Sequence, residues 1–134
     1  MTPSPLILVV DDNPAGLLLA VTVLQLEGFQ VDTAGSAAEV LERLSHRTPA
    51  LILMDVQLPG QDGLALTRQL KADAETAPIR IVALTAYAMA GDREAAIDAG
   101  CVGYITKPID TRNLGDQIRN FLSAEPVEPA VTAD

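Results

Sequence analysis

The chain predicts an α/β domain, a doubly wound five-stranded parallel sheet with five helices. Two observations carry this expectation. Short apolar runs alternate five times with longer segments of helical spacing, the pattern of repeated strand–helix units whose strands run parallel. The composition, 49% apolar against 20% charged, is that of a packed core, and 134 residues suffice for one domain but not comfortably for two.

Each element has a local justification. The first apolar run, LILVV (6–10), leads into Asp11-Asp12. Asn13 before Pro14 reads as an N-cap followed by proline at the first helical position, opening a helix over about 14–27 that Gly28 stops in left-handed geometry. The second run, FQVDTA (29–34), precedes Ser36 and Glu39, spaced as a capping box for a helix over 36–46. The third, LILM (51–54), runs into Asp55, and after a Pro59–Gly60 turn Asp62 is placed to cap a helix over 62–73. The fourth, IRIVALT (79–85), leads to a helix over 87–99 ended by Gly100. The fifth, VGYI (102–105), passes through Thr106-Lys107-Pro108 to a helix over 110–123. From Ala124 the segment AEPVEPAVTAD has no periodicity and is rich in proline and acids. The reading is therefore one domain over 1–123 and a disordered tail over 124–134.

Composition excludes several functions. No apolar run is long enough to span a membrane, and the first one lacks a preceding basic region and ends in acids, so it is no secretory signal. A single cysteine, Cys101, allows no internal disulfide and suits a reducing, cytoplasmic compartment. It reads as a small buried residue rather than a redox centre. A net charge of −9 repels phosphate backbones and argues against direct nucleic-acid binding.

Ligands of a doubly wound sheet bind at the carboxyl ends of its strands, where strand order reverses. There the first strand delivers Asp11 and Asp12, the third Asp55, the fourth Thr85, and the fifth Lys107. Three acids converging on one edge need a cation among them. With oxygen donors only, the matching ion is Mg2+, or Mn2+ in its place. A carboxylate beside such an ion, flanked by a lysine and a hydroxyl, can attack phosphorus in line and form an acyl phosphate that water later hydrolyses.

In LILVVDDNP, LILMDVQLPGQDG and IVALTAYAMAGDREAAIDAGCVGYITKPI, with their order and spacing, the chain resembles the receiver (phosphoacceptor) domain of two-component response regulators over about residues 5–123. It looks most like stand-alone regulators and the receivers of hybrid sensor kinases. The resemblance implies a (βα)5 flavodoxin-like fold with strand order 2-1-3-4-5. It implies that Asp55 is the phosphoacceptor, that Asp12 binds Mg2+ directly and Asp11 directly or through water, and that the Gln57 carbonyl is a further ligand. Thr85 would bond a phosphoryl oxygen, and Lys107 would pair with the phosphoryl group or with Asp55, before a cis peptide to Pro108. Tyr104 would be an aromatic switch that turns inward when Thr85 moves, changing the 85–109 surface. Tyr87 would flank the route of hydrolytic water and lengthen the phosphoryl lifetime.

The implied partners are a histidine kinase or histidine phosphotransfer protein as donor and a downstream protein target. The first helix is too apolar for one buried face. If Leu19, Val23 and Leu24 point at the sheet, Leu18 and Val21 fall opposite, and with Pro14 they form a candidate docking patch for a helical donor beside Asp12. Scattered surface apolar residues are the plainer explanation of the same pattern. Met1 and the tail favour a whole single-domain regulator over a module excised from a larger protein. Other readings fit less well. A haloacid-dehalogenase-like phosphatase would carry an acid where Gln57 stands, and a small flavodoxin-like binding module would carry a phosphate-gripping glycine loop that DDNPAG lacks. A degenerate receiver would lack parts of the acidic site.

Overall fold

Strands covered by helices on both faces read as unbroken apolar runs, and the central strands here have that character. The computed structural model describes residues 4–58, 60–86 and 90–123. β1 (Leu6–Val10) is buried in four of five residues, and β3 (Leu51–Asp55) in all five, its terminal carboxylate included. With β2 (Gln30–Ala34), β6 (Arg80–Thr85) and β7 (Gly103–Thr106) they form one parallel sheet in the order β2-β1-β3-β6-β7. Two short strands absent from the sequence reading, β4 (Gln57–Leu58) and β5 (Gln61–Asp62), form an antiparallel ladder of their own. With these two set aside, the five sheet strands stand in the expected 2-1-3-4-5 order.

Among the described residues five helices cover the sheet. α1 (Pro14–Leu26) and α5 (Leu114–Ser123) supply Ala20, Leu24, Leu114 and Ile118 to the core on one face. α2 (Ala37–His46), α3 (Gly63–Ala72) and α4 (Ala90–Ala99) supply Val40, Leu66, Leu70 and Ala96 to the other. Among the described residues no helix is long and apolar enough to cross a membrane.

The caps follow the local chemistry. Asn13 Oδ1 accepts from the N–H groups of Ala15 and Gly16 at 2.9 and 3.4 Å, and Asp62 Oδ1 accepts from Leu64 N–H at 2.9 Å. Gly28 and Gly100 both adopt positive φ after their helices. The expected capping box is only half formed: Ser36 Oγ accepts from Glu39 N–H, but Glu39 Oε1 accepts from Gly35 N–H, one residue before the cap. The last helix begins later than the periodicity suggests. Asp110 holds a turn first, its carbonyl accepting from Asn113 and Leu114 N–H and its Oδ1 from Arg112 N–H. Of the helix expected over 87–99, residues 87–89 lie outside the described residues, as do Pro59 and the tail over 124–134.

The phase assigned to the first helix needs correcting. Ala20 and Leu24 are fully buried, with Leu17 and Val23 packed beside them, while Leu19 is 41% exposed. The helix is apolar almost all round, so hydrophobicity could not choose which stripe faces the sheet. Leu18 is 68% exposed as expected, but Val21 is half-buried.

One close approach ties α3 to the end of β3. Gly63 N–H donates to the Val56 carbonyl at 3.0 Å, and a Cβ on Gly63 would stand 2.1 Å from the Asp55 carbonyl oxygen and 2.9 Å from Val56 Cα. Those atoms are backbone and cannot turn aside. Gly63→Ala is therefore expected to cost about 1–3 kcal/mol, the range of overpacked sites. Urea unfolding would read it as a lower midpoint at constant slope, and an unchanged midpoint would show that the backbone yields freely there.

Candidate functional site at the carboxyl edge of the sheet

The strand register builds the site. Val10 pairs with Met54 and Asp55 with Leu84, so Asp11, the residue after Val10, comes level with Asp55. Strand order reverses between β1 and β3, which makes this the switch point of the sheet, where the edge opens to ligands. Thr85 pairs with Thr106, and the Lys107 N–H donates to the Thr85 carbonyl at 2.7 Å, which brings the lysine to the same edge. The Lys107–Pro108 peptide is cis.

The side chains meet there. Lys107 Nζ lies 3.1 Å from Asp55 Oδ2 and 3.4 Å from Asp11 Oδ2. Asp55 Oδ1 accepts from the Gln57 N–H at 2.9 Å, and Asp11 Oδ1 accepts from the Asn13 N–H at 3.0 Å. Asp11, Asp55 and Thr85 are buried, whereas Asp12 and Gln57 are exposed. Carboxylate oxygens of Asp11, Asp12 and Asp55 all lie within 4.8 Å of one another, so this cluster could hold a metal ion. Its donors are hard oxygens without imidazole or thiolate, the set that suits Mg2+ rather than zinc or copper.

Two opposing effects act on Asp55. Burial raises its pKa above 3.8, and neither the Gln57 N–H nor the nearby ammonium of Lys107 brings it back, while Asp11 adds to the rise. For Lys107, burial works to lower the pKa, but the bond and charge of Asp55, joined by Asp11, outweigh it and leave the pKa above 10.5. The two shifts agree physically: the lysine gains from two anions, whereas each anion shares one cation.

An open pocket of about 380 Å³ gives access to this edge, lined by Asp11, Asn13, Gly16, Leu19, Lys107 and Pro108 among others. Gly16 contributes by having no side chain, since a Cβ there would stand 2.9 Å from Asp11 Oδ2. The sequence reading missed both Gly16 and Gly63, and a glycine inside a helix pattern was the available signal of close approach. Of the residues expected at the site, Asp11, Asp12, Asp55, Gln57, Thr85 and Lys107 all come to this edge. Tyr104 stands on β7 facing α4, Pro14 and Leu18 lie exposed on α1, and Tyr87 is outside the described residues. Cys101 is buried, and burial pushes its thiol up to about 11. That is a packing residue and not a nucleophile.

Residues 7–119 match the response regulator receiver domain family. The chain belongs to that family. The receiver domain is 36% identical over 116 residues to the polar-differentiation response regulator DivK of Brucella ovis, covering 87% of this chain and 94% of DivK. It is 40% identical over 118 residues to the sensor histidine kinase GacS of Pseudomonas protegens, covering 86% of this chain and 13% of that kinase. Among solved structures, a putative response regulator from Chloroflexus aurantiacus superposes with a TM-score of 0.85 at 29% identity, over 90% of this chain and 99% of the other. The receiver domain of the Pseudomonas aeruginosa sensor histidine kinase PA1611, which has a magnesium ion coordinated in its active-site cleft, superposes with a TM-score of 0.81 at 30% identity, over the same shares. The protein is thus a receiver domain of two-component signalling, a signalling module rather than a classical enzyme.

The raised Asp55 pKa has a consequence for stability. The folded chain holds that proton more tightly than the unfolded one, so the ionised carboxylate subtracts stability above its folded pKa and the loss is relieved as pH falls toward 3.8. The Lys107 contribution has the opposite window: it is fully present below 10.5 and is lost as pH rises through the higher folded value. With a chelator present, Asp55→Asn is expected to unfold at higher urea than the native chain near about pH 7, the gap narrowing toward about pH 4. Equal midpoints at neutral pH would mean that Lys107 offsets the whole cost of burying the charge.

Proposed function

We propose that Asp55 accepts a phosphoryl group from a phosphohistidine donor and that the resulting acyl phosphate switches the 85–109 surface between two partner-binding states. The observation that carries this reading is the pair of buried carboxylates sharing one ammonium, 3.1 Å from Asp55, at the switch point of the sheet. An Asp55 carboxylate oxygen attacks phosphorus in line, the phosphorus–nitrogen bond to the donor imidazole breaks, and the imidazole leaves with the electron pair. Lys107 shifts its contact from the carboxylate to the equatorial oxygens, where negative charge accumulates, and the Thr85 hydroxyl donates to one of them. Water later attacks the phosphorus of the acyl phosphate, the P–O bond to Asp55 breaks, and inorganic phosphate leaves as the free carboxylate returns.

Asp11, Asp12, Asp55 and the Gln57 carbonyl would hold Mg2+, or Mn2+ in its place. When bound, that ion supplies positive charge against the phosphoryl oxygens. Tyr104 is the reporter: a dianionic phosphoryl group draws Thr85 toward it and leaves room for the ring to turn inward. This work is self-phosphorylation followed by slow self-dephosphorylation, with the domain over 1–123 acting in the cytoplasm.

The donor is a histidine kinase or histidine phosphotransfer protein, and a downstream protein reads the switched surface. Exposed Pro14 and Leu18, with half-buried Val21, lie on α1 directly after the acidic edge, and exposed Leu19 lines the pocket mouth. An apolar helical face there suits a helical donor.

Incubation with Mg2+ and phosphoramidate, read on a phosphate-affinity gel, tests the chemistry. Asp55→Asn is expected to abolish the phosphorylated band, and Lys107→Ala to slow its appearance by about two orders of magnitude, the usual effect of removing one preorganised charge-stabilising donor. A phosphorylated band that survives Asp55→Asn would reject the assignment. For docking, Leu18→Glu with Val21→Glu should slow phosphotransfer from a histidine donor while leaving the phosphoramidate reaction unchanged. Slowing of both reactions alike would place the effect on the fold instead.

A further inference from the structure

Tyr104 pairs with Ala83 of β6 in the register and packs on the sheet face that α4 covers with Ala96. Its hydroxyl is gripped from α4. Arg93 Nη2 and Nε donate to the phenol oxygen at 2.8 and 3.2 Å, and the guanidinium carbon stands 5.2 Å from the ring centroid. One exposed arginine therefore makes two hydrogen bonds and a cation–π contact with a single ring.

A cavity of about 130 Å³ lies between β6 and α4, walled by Val56, Leu64, Ala83, Thr85, Ala95 and Ala96 among others. It exists because three alanines meet there, and a methyl group is too short to close the gap between sheet and helix. The space adjoins Thr85 and is on the same face of the sheet as Tyr104, yet Tyr104 is not among its walls.

We propose that Arg93 is a latch that holds Tyr104 outward, so that the ring enters the cavity beside Thr85 only when the Arg93 clasp is broken. Arg93 is a positioning residue: it touches no reacting atom and acts through Tyr104. This rests on the reading of Asp55 as phosphoacceptor and Tyr104 as its reporter. A clasp of this kind at an exposed site biases a two-state equilibrium by about fivefold. By linkage, whatever favours the outward ring weakens binding of a phosphoryl group at Asp55 by up to the same factor. Removing the latch should then tighten binding. The sign is diagnostic, because loss of a cation from an acidic protein would by simple electrostatics weaken the binding of an anion.

The test uses the full chain labelled with fluorotyrosine, the Tyr104 fluorine resonance being assigned with Tyr104→Phe, and titration with beryllofluoride and Mg2+. In the wild type the Tyr104 resonance is expected to move as beryllofluoride binds. Arg93→Ala should displace that resonance part-way toward the bound position before any beryllofluoride is added, and should tighten beryllofluoride binding by about two- to fivefold, the bias of the clasp at most. Arg93→Lys, which keeps the charge but loses the two-pronged donor, should fall between. An Arg93→Ala resonance at the wild-type position, with binding unchanged or weaker, overturns the latch. If the wild-type resonance still moves in that case, the phosphoacceptor reading stands without it. A wild-type chain whose beryllofluoride binding is not abolished by Asp55→Asn overturns the underlying reading, and the latch with it.

Discussion

The carboxyl edge of the sheet depends on the ammonium of Lys107, which stands between Asp55 at 3.1 Å and Asp11 at 3.4 Å. Two carboxylates buried side by side would each face a desolvation cost and their mutual repulsion. One lysine offsets part of this and no more, which is why burial still raises the Asp55 pKa. Two carboxylates that share one ammonium leave negative charge at the edge, and with the exposed Asp12 beside them that is the kind of site that could hold a divalent ion.

The surrounding fold holds these groups close without adding charge. β1 and β3 are apolar through their length because helices cover both faces, and their carboxylates emerge only where the strands stop. The backbone bond from Lys107 N–H to the Thr85 carbonyl fixes the lysine relative to the hydroxyl. Gly63 lets α3 start against the Asp55 carbonyl, and Gly16 lets α1 start against the Asp11 side chain. Where close packing is relaxed, at the alanines between β6 and α4, the relaxation lies next to Thr85, on the sheet face that also carries Tyr104. Close approach around the acids and space beside Thr85 are both set by side-chain size.

Much of this was legible in the sequence, and the failures have specific causes. Apolar runs ending in acids located the strands and the edge, because side chains alternate faces and both faces are covered. Asn13 and Asp62 marked helix starts because their side chains accept from the free N–H groups of the first turn, and Pro14 because a residue without an N–H loses nothing there. The phase of α1 was misread, with Leu19 placed inward, because a helix apolar almost all round has no polar face to orient it. Glu39 bonds Gly35 rather than Ser36, and α5 starts at Leu114 after the Asp110 turn, because end geometry depends on where the chain comes from. The short ladder between Gln57–Leu58 and Gln61–Asp62 was hidden inside a turn signal.

By itself the sequence determined the alternation of strands and helices, the identity of the edge residues and the family, since these follow from periodicity, residue chemistry and motif order. Distances were beyond it. Only the tertiary structure decided that Asp11 and Asp55 share one lysine, that two glycines let helices touch the acids, and that Arg93 reaches Tyr104 across eleven residues of chain. Each of these arises where separate elements meet, and the physical reason is the same throughout. Local propensity places a side chain on its own element, but register and packing choose what it meets.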